Sequence, residues 1–118
     1  MLGTETLKIK AKTEDLIKYA YCAFAHFPKS EKFTLVADLK RSLVRILELE
    51  IRANYARDKM PYLRDLDVEL DVFRSIVRLS MDLGFMPFKK YEVLSIHVAE
   101  VGRMLGGLIK RAKAGVAA

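Results

Sequence analysis

The sequence holds little of what most chemistry-bearing proteins use. One cysteine, Cys22, two histidines, His26 and His97, and three prolines are all that 118 residues contain of these types. A lone cysteine excludes an intrachain disulfide and fits a reduced setting, so a cytoplasmic location is expected. No paired-cysteine zinc pattern, Gly-x-Ser-x-Gly elbow or phosphate-binding loop occurs. No apolar run approaches the roughly 20 residues a membrane-spanning helix needs. The polar, lysine-bearing stretch from Met1 to Lys12 lacks the apolar segment of a secretion signal. Strand signals are scarce too: Leu7-Lys8-Ile9-Lys10 alternates briefly, and nothing downstream offers it a partner strand.

What is present is apolar and charged. Hydrophobic residues make up 52% of the chain and charged residues 31%, a balance that suits one folded domain and excludes a disordered tail. Lysine and arginine outnumber the acids by 21 to 15, for a formal charge of +6. Such a surface favours acidic partners, whether nucleic acid, an acidic protein face or an anionic membrane, and charge alone does not choose among them.

The spacing of apolar residues is the strongest signal. Val36, Leu39, Leu43, Ile46, Glu50 and Ala53 follow one another at steps of three and four. So do Leu63, Leu66, Leu70, Phe73, Val77 and Ser80, and again Tyr91, Leu94, Val98, Val101, Leu105 and Leu108. That period keeps one stripe of each helix on a left-handed bundle seam. Pro28, Pro61, Pro87 and Gly84 punctuate the pattern where helices stop or start. The expected fold is all-α, an up-down-up-down antiparallel four-helix bundle over residues 13–113, with helices at about 14–26, 30–57, 61–83 and 88–112. Thr13 reads as the first cap, residues 1–12 as a flexible or docking arm, and 114–118 as a tail. Leu35, Leu49, Ile51, Ile96 and Ile109 lie off the main stripes, which points to self-association unless the first helix covers them.

Catalytic and metal chemistry find no footing. His97 and Glu100 stand in the reverse order of the Glu-x-x-His pattern of metal-binding bundles, and His26 has no acid within a turn. Cys22 has no base or cation in sequence to make it a thiolate, so buried packing is the expected role. No catalytic residue, metal or cofactor is expected. Glu50, on a seam, needs a partner or must become neutral, and Arg103 is the expected partner. Gly102 and Gly106, four apart in the last helix, would let another helix approach closely; Glu50, Gly102, Arg103 and Gly106 are thus read as structural.

The basic residues suggest binding. Arg74 and Arg78 lie one turn apart, Arg41, Arg45 and Arg52 form a second stripe, and Lys110, Arg111 and Lys113 follow the last acid, Glu100. Arginine forks suit phosphate, although pairing with Asp71, Asp38 or Glu48 on the same helices would account for each stripe.

Three stretches carry a resemblance. The block Ala99-Glu100-Val101-Gly102-Arg103-Met104-Leu105-Gly106-Gly107-Leu108-Ile109 resembles the last helix of the Avd family, the accessory variability determinant of diversity-generating retroelements. Phe27-Pro28-Lys29-Ser30-Glu31-Lys32 is similar to that family's junction between helices 1 and 2, and Phe73-Arg74-Ser75-Ile76-Val77-Arg78-Leu79 to its third helix. The resemblance, over roughly residues 15–112, implies a barrel-shaped homopentamer of four-helix bundles. It also implies partnership with a reverse transcriptase and its RNA or DNA in error-prone cDNA synthesis. Under it, Arg74 and Arg78 become nucleic-acid or polymerase contacts. A related bundle family, encoded by intervening sequences in ribosomal RNA genes, shares the architecture and has an obscure role. A neighbouring reverse-transcriptase gene would separate the two.

Overall fold

The structure, a computed structural model, describes residues 4–115. Four helices account for almost all of them: α1 (Thr4–Phe24), α2 (Leu35–Tyr55), α3 (Met60–Asp82) and α4 (Phe88–Lys113), with a single 3-10 turn at Lys29–Glu31. No strand occurs among the described residues. Each helix packs on two neighbours: α1 on α2 and α4, α3 on α2 and α4. The result is a closed four-helix bundle of 45 × 24 × 19 Å.

The helix ends are set by local chemistry. Pro28 follows the end of α1, where the Phe27 N–H donates to the Phe24 carbonyl at 3.0 Å and tightens the last turn. Pro61 sits in the first turn of α3, where its missing N–H costs nothing. Gly84, at φ +79°, closes α3. Its N–H reaches the Met81 carbonyl, and the Phe85 N–H reaches that of Ser80, both at 2.9 Å. These are the two crossed bonds of a Schellman cap. At the end of α2, Lys59 Nζ donates to the carbonyls of Ala53 and Asn54 at 3.0 Å and of Ala56 at 3.2 Å. One ammonium thus serves three carbonyls and sits at the negative end of the helix dipole.

The seams follow the periodicity. Every stripe position named for α2 and α3 is buried, Phe73 completely, and on α4 the stripe from Leu94 to Leu108 is buried while Tyr91 is half-buried. Of the off-stripe residues, Leu49 enters the core, Leu35 and Ile109 pack against it, and Ile51 and Ile96 stay exposed. The first helix therefore covers the excess apolar surface only in part.

The beginning of the chain departs from expectation. Residues 4–12 are not an arm; they are the first turns of α1, which starts at Thr4 rather than near Glu14. Residues 1–3 lie outside the described part. Thr6, Ile9, Thr13, Leu16, Ala20 and Ala23 are all buried, at steps of three and four. Two threonines on this stripe break its apolar signature, and the lysines around Ile9 imitate a strand. Thr13, expected as a cap, is a mid-helix core residue. Expected helix bounds shift elsewhere as well: the segment 30–34 is a turn before α2, which ends at Tyr55, and α4 runs on to Lys113.

Ile9, fully buried, separates a docked helix from an arm. Ile9→Ala should lower stability by about 2–4 kcal/mol in a urea titration, the usual cost of such a cavity. An unchanged midpoint would restore the arm.

Candidate nucleic-acid interface

The arginines expected to bind are held on rigid helices with their heads in solvent. Arg41 and Arg45 project from α2, and Arg74 and Arg78 from α3, each exposed by roughly half or more of its side chain (74%, 45%, 51% and 64%). All four take a partner from their own helix. Arg41 meets Asp38 at 2.7 Å, Arg45 meets Glu48 at 3.2 Å, Arg74 meets Asp71 at 3.2 Å and Arg78 meets Asp82 at 3.7 Å. Arg52 shares Glu48, donating from Nε and Nη2 at 3.1 and 3.0 Å. This bond first, and that from Arg45 second, holds the Glu48 carboxyl below the ordinary range. Exposed pairs of this kind contribute about 0.2–1 kcal/mol and are screened by salt. A phosphate can therefore replace the carboxylate at little cost.

These cations do not converge on one cleft. Arg41 and Arg45 border a groove of about 360 Å³ between α2 and α3 that also holds Asp38 and Glu69, the latter bonded by Ser42 at 2.7 Å. The mixed charge makes it a poor anion site. Arg74 lies toward α4: its Nη2 sits 3.4 Å from where a Cβ on Gly102 would be. Gly102 thus admits an arginine head close to the α4 backbone, and Leu70 lies 3.6 Å from the same point. Gly106 meets nothing within 4 Å, so no helix of this chain uses the approach expected there. Lys110, Arg111 and Lys113 occupy the last turn of α4, where they also complement the helix dipole.

The helical start of α1 creates a site that the sequence concealed. Lys8 joins Arg103, Arg111, Met104, Gly107 and Leu108 around a cleft of about 190 Å³ between α1 and α4. Three cations line it among the described residues, and one of them, Arg103, is paired with Glu100 on α4. The missed signal was Lys8, read as part of an arm and placed by the helix beside the last turns of α4.

Arg103 belongs to this surface and does not pair with Glu50. It donates to Glu100 at 2.7 Å, three residues back on the exposed face. That bond holds the Glu100 carboxyl below its ordinary pKa and raises the Arg103 guanidinium. A local partner outcompetes one across the core because it requires no desolvation. Glu50 is instead buried at the α1–α2 contact, where Thr13 Oγ1 donates to its Oε2 at 2.5 Å. Burial is the main cause that lifts its pKa to about 8; Glu14 adds to the rise, while Thr13 and Lys10 oppose it.

The remaining candidates are plain. Cys22 is exposed rather than packed in the core, because its position on α1 falls outside the buried stripe. His26 is exposed, and His97 stacks on Tyr19 with ring centroids 5.3 Å apart, joining α4 to α1. Among the described residues no group of three or more histidine, cysteine, aspartate or glutamate side chains could hold a metal ion. Among them too, no helix is long and apolar enough to cross a membrane.

A family model described as bAvd-like matches residues 7–112. The chain belongs to the bAvd-like family. No curated protein matches it. Membership makes it an Avd-type accessory protein. The match takes in all four helices and the cleft from Lys8 to Arg111, and leaves out Lys113.

Glu50 gives this bAvd-like bundle a measurable pH dependence. Below about pH 4.5 the carboxyl is protonated whether the chain is folded or not. Between 4.5 and about 8 the folded chain keeps a proton that the unfolded chain releases, so stability falls as pH rises. The slope is at most about 1.4 kcal/mol per pH unit, and it levels off once both states are ionised. The charged groups that act on Glu50 are Glu14 and Lys10 of α1, with opposite effects. Glu50→Gln should flatten the decline and raise stability at pH 7 by on the order of 2 kcal/mol. Equal slopes for both proteins in urea titrations from pH 5 to 9 would show Glu50 ionised in the fold.

Proposed function

We propose that the chain is a non-enzymatic accessory subunit of a diversity-generating retroelement. It binds the reverse transcriptase and its RNA or DNA in the cytoplasm and supports error-prone cDNA synthesis. The bAvd-like match over nearly the whole bundle carries this reading. The surface supports it: exposed arginines at fixed helical spacing, held by pairs weak enough to exchange for phosphate, and a cleft between α1 and α4 whose lining includes Lys8, Arg103 and Arg111. Binding acts by electrostatic capture and positioning, and the chain itself performs no reaction.

The protein also self-associates in this reading, as the homopentamer that the Avd resemblance implies. Its outer α2 surface carries a groove of about 640 Å³ lined by Val44, Leu47, Ile51, Tyr55 and Tyr62. Val44, Ile51 and Tyr55 are exposed there, as are Val68, Val72 and Leu79 on α3. A row of this length on a small bundle suits a second copy better than water. The alternative, an rRNA intervening-sequence type of bundle that assembles without binding nucleic acid, shares this groove and differs in the charge-dependent step.

Two measurements test the reading. Purification of the tagged chain from its host should bring down a reverse transcriptase with a retroelement transcript. The chain recovered with copies of itself alone would favour the alternative. Binding to single-stranded RNA or DNA should weaken steeply with salt, and Arg74→Ala with Arg78→Ala should reduce the slope of log K against log salt by about 1–2 with helicity unchanged. An unaltered slope would remove both residues from the interface. For assembly, Ile51→Glu should shift the sedimenting mass toward that of one protomer, and an unchanged mass would move the interface off α2.

A further inference from the structure

We propose that the bundle binds one internal water molecule in a cavity between the first turns of α1 and the end of α2, held by Glu50 Oε1 and Asn54 Nδ2. This is independent of the proposed function.

The cavity measures about 20 Å³ and is lined by Thr6 and Ile9 of α1, Glu50, Ala53 and Asn54 of α2, Leu63 and Leu66 of α3, Leu108 and Ala112 of α4, and Lys59. Its lining thus draws on all four helices and the α2–α3 connection. A water needs about 10–15 Å³ on this measure, so one fits and two do not. Two of the lining side chains are almost wholly buried, Glu50 at 2% exposure and Asn54 at 3%. Each has one polar atom, Glu50 Oε1 and Asn54 Nδ2, with no hydrogen-bond partner among the described residues. An unmet buried polar atom costs about 1–3 kcal/mol, so two beside one small cavity point to a shared partner.

The chemistry selects the occupant. Glu50 Oε2 accepts from Thr13, which leaves Oε1 as the hydroxyl end when the carboxyl is neutral. Asn54 Nδ2 is a donor as well. Two donors do not satisfy one another, although the residues stand one helical turn apart. The occupant must accept twice, and water does so with its two lone pairs. It can then donate onward, and Thr6 supplies the remaining side-chain hydroxyl of the lining. A cation is disfavoured by the Lys59 ammonium on the wall, and a polyatomic anion by the small size of the cavity. Leucine and isoleucine across the cavity exclude a larger polar solute. Bound there, the water joins the docked start of α1 to the end of α2, a contact to which Thr13 adds a direct hydrogen bond.

A crystal structure of the full chain at better than about 1.5 Å, with water–protein cross-relaxation in solution, tests this. We expect one density peak within 2.7–3.2 Å of both Glu50 Oε1 and Asn54 Nδ2. We also expect a long-lived water contact to the Asn54 side-chain amide protons. Glu50→Gln should keep the peak, and Asn54→Leu should lose it. A dry cavity, a larger solute in the density, or a Glu50 side chain turned to bond Asn54 directly would each overturn the proposal. The wild-type structure alone decides if Asn54→Leu does not fold.

Discussion

Docking of α1 is the constraint on which the rest of the molecule depends. This helix closes the ring by packing on both α2 and α4. Its buried stripe is less apolar than the others, because Thr6 and Thr13 occupy two of its positions. The hydroxyl of Thr13 gives Glu50 its hydrogen bond, so the least apolar position of α1 meets the least apolar position of the α2 seam. Packing these two helices without that bond would leave a buried carboxyl bare, which costs more than the contact of two aliphatic residues would gain. The same docking brings Lys8 beside Arg103 and Arg111 and so makes the basic cleft. Core and surface thus share one cause.

The legibility of the sequence follows the same division. In α2, α3 and α4 the buried positions are aliphatic or aromatic with few exceptions, and a period of three and four gives both the helix and its inward face. In α1 the stripe passes through two threonines and the exposed flanks carry lysines, so the pattern is polar enough to read as an arm. The partner of Glu50 was not legible because it lies on the segment read as cap and arm, and Arg103 stood out only as the mid-helix arginine of α4 beside apolar Met104. Helical geometry instead gives Arg103 an acid three residues away at Glu100. Gly102 and Gly106 look alike in sequence, yet one faces the Arg74 head and Leu70 while the other faces nothing in the chain. Spacing of four gives a shared direction on a helix and not a shared neighbour.

Electrostatics divides the charged groups by depth. On the surface, Arg41, Arg45, Arg52, Arg74 and Arg78 each take an acid three or four residues away, and the Glu48 carboxyl is served by two of them. Such pairs position guanidinium groups more than they stabilise the fold. They keep the forks extended along the helix and spare a ligand part of the entropy of ordering them. A phosphate strand that displaces the carboxylates would leave Asp38, Asp71 and Asp82 to solvent at small cost, since they are exposed already. In the core the logic reverses. Glu50 has no cation in hydrogen-bond contact, so burial dominates and the proton stays on.

That reversal bears on the accessory role proposed for this chain. An accessory subunit contributes geometry, and geometry requires that the charged faces keep their spacing while they exchange partners. The ion pairs of Arg41, Arg45, Arg52, Arg74 and Arg78 each lie within one helix, so breaking one of them does not loosen a contact between helices. The cross-helix polar contacts, Thr13 with Glu50 and Ser42 with Glu69, are separate from them. A nucleic acid that competes for these five arginines therefore acts on pairs separate from those seam contacts. Salt or phosphate can strip the outer pairs and leave the frame intact, which is what a reusable electrostatic platform needs.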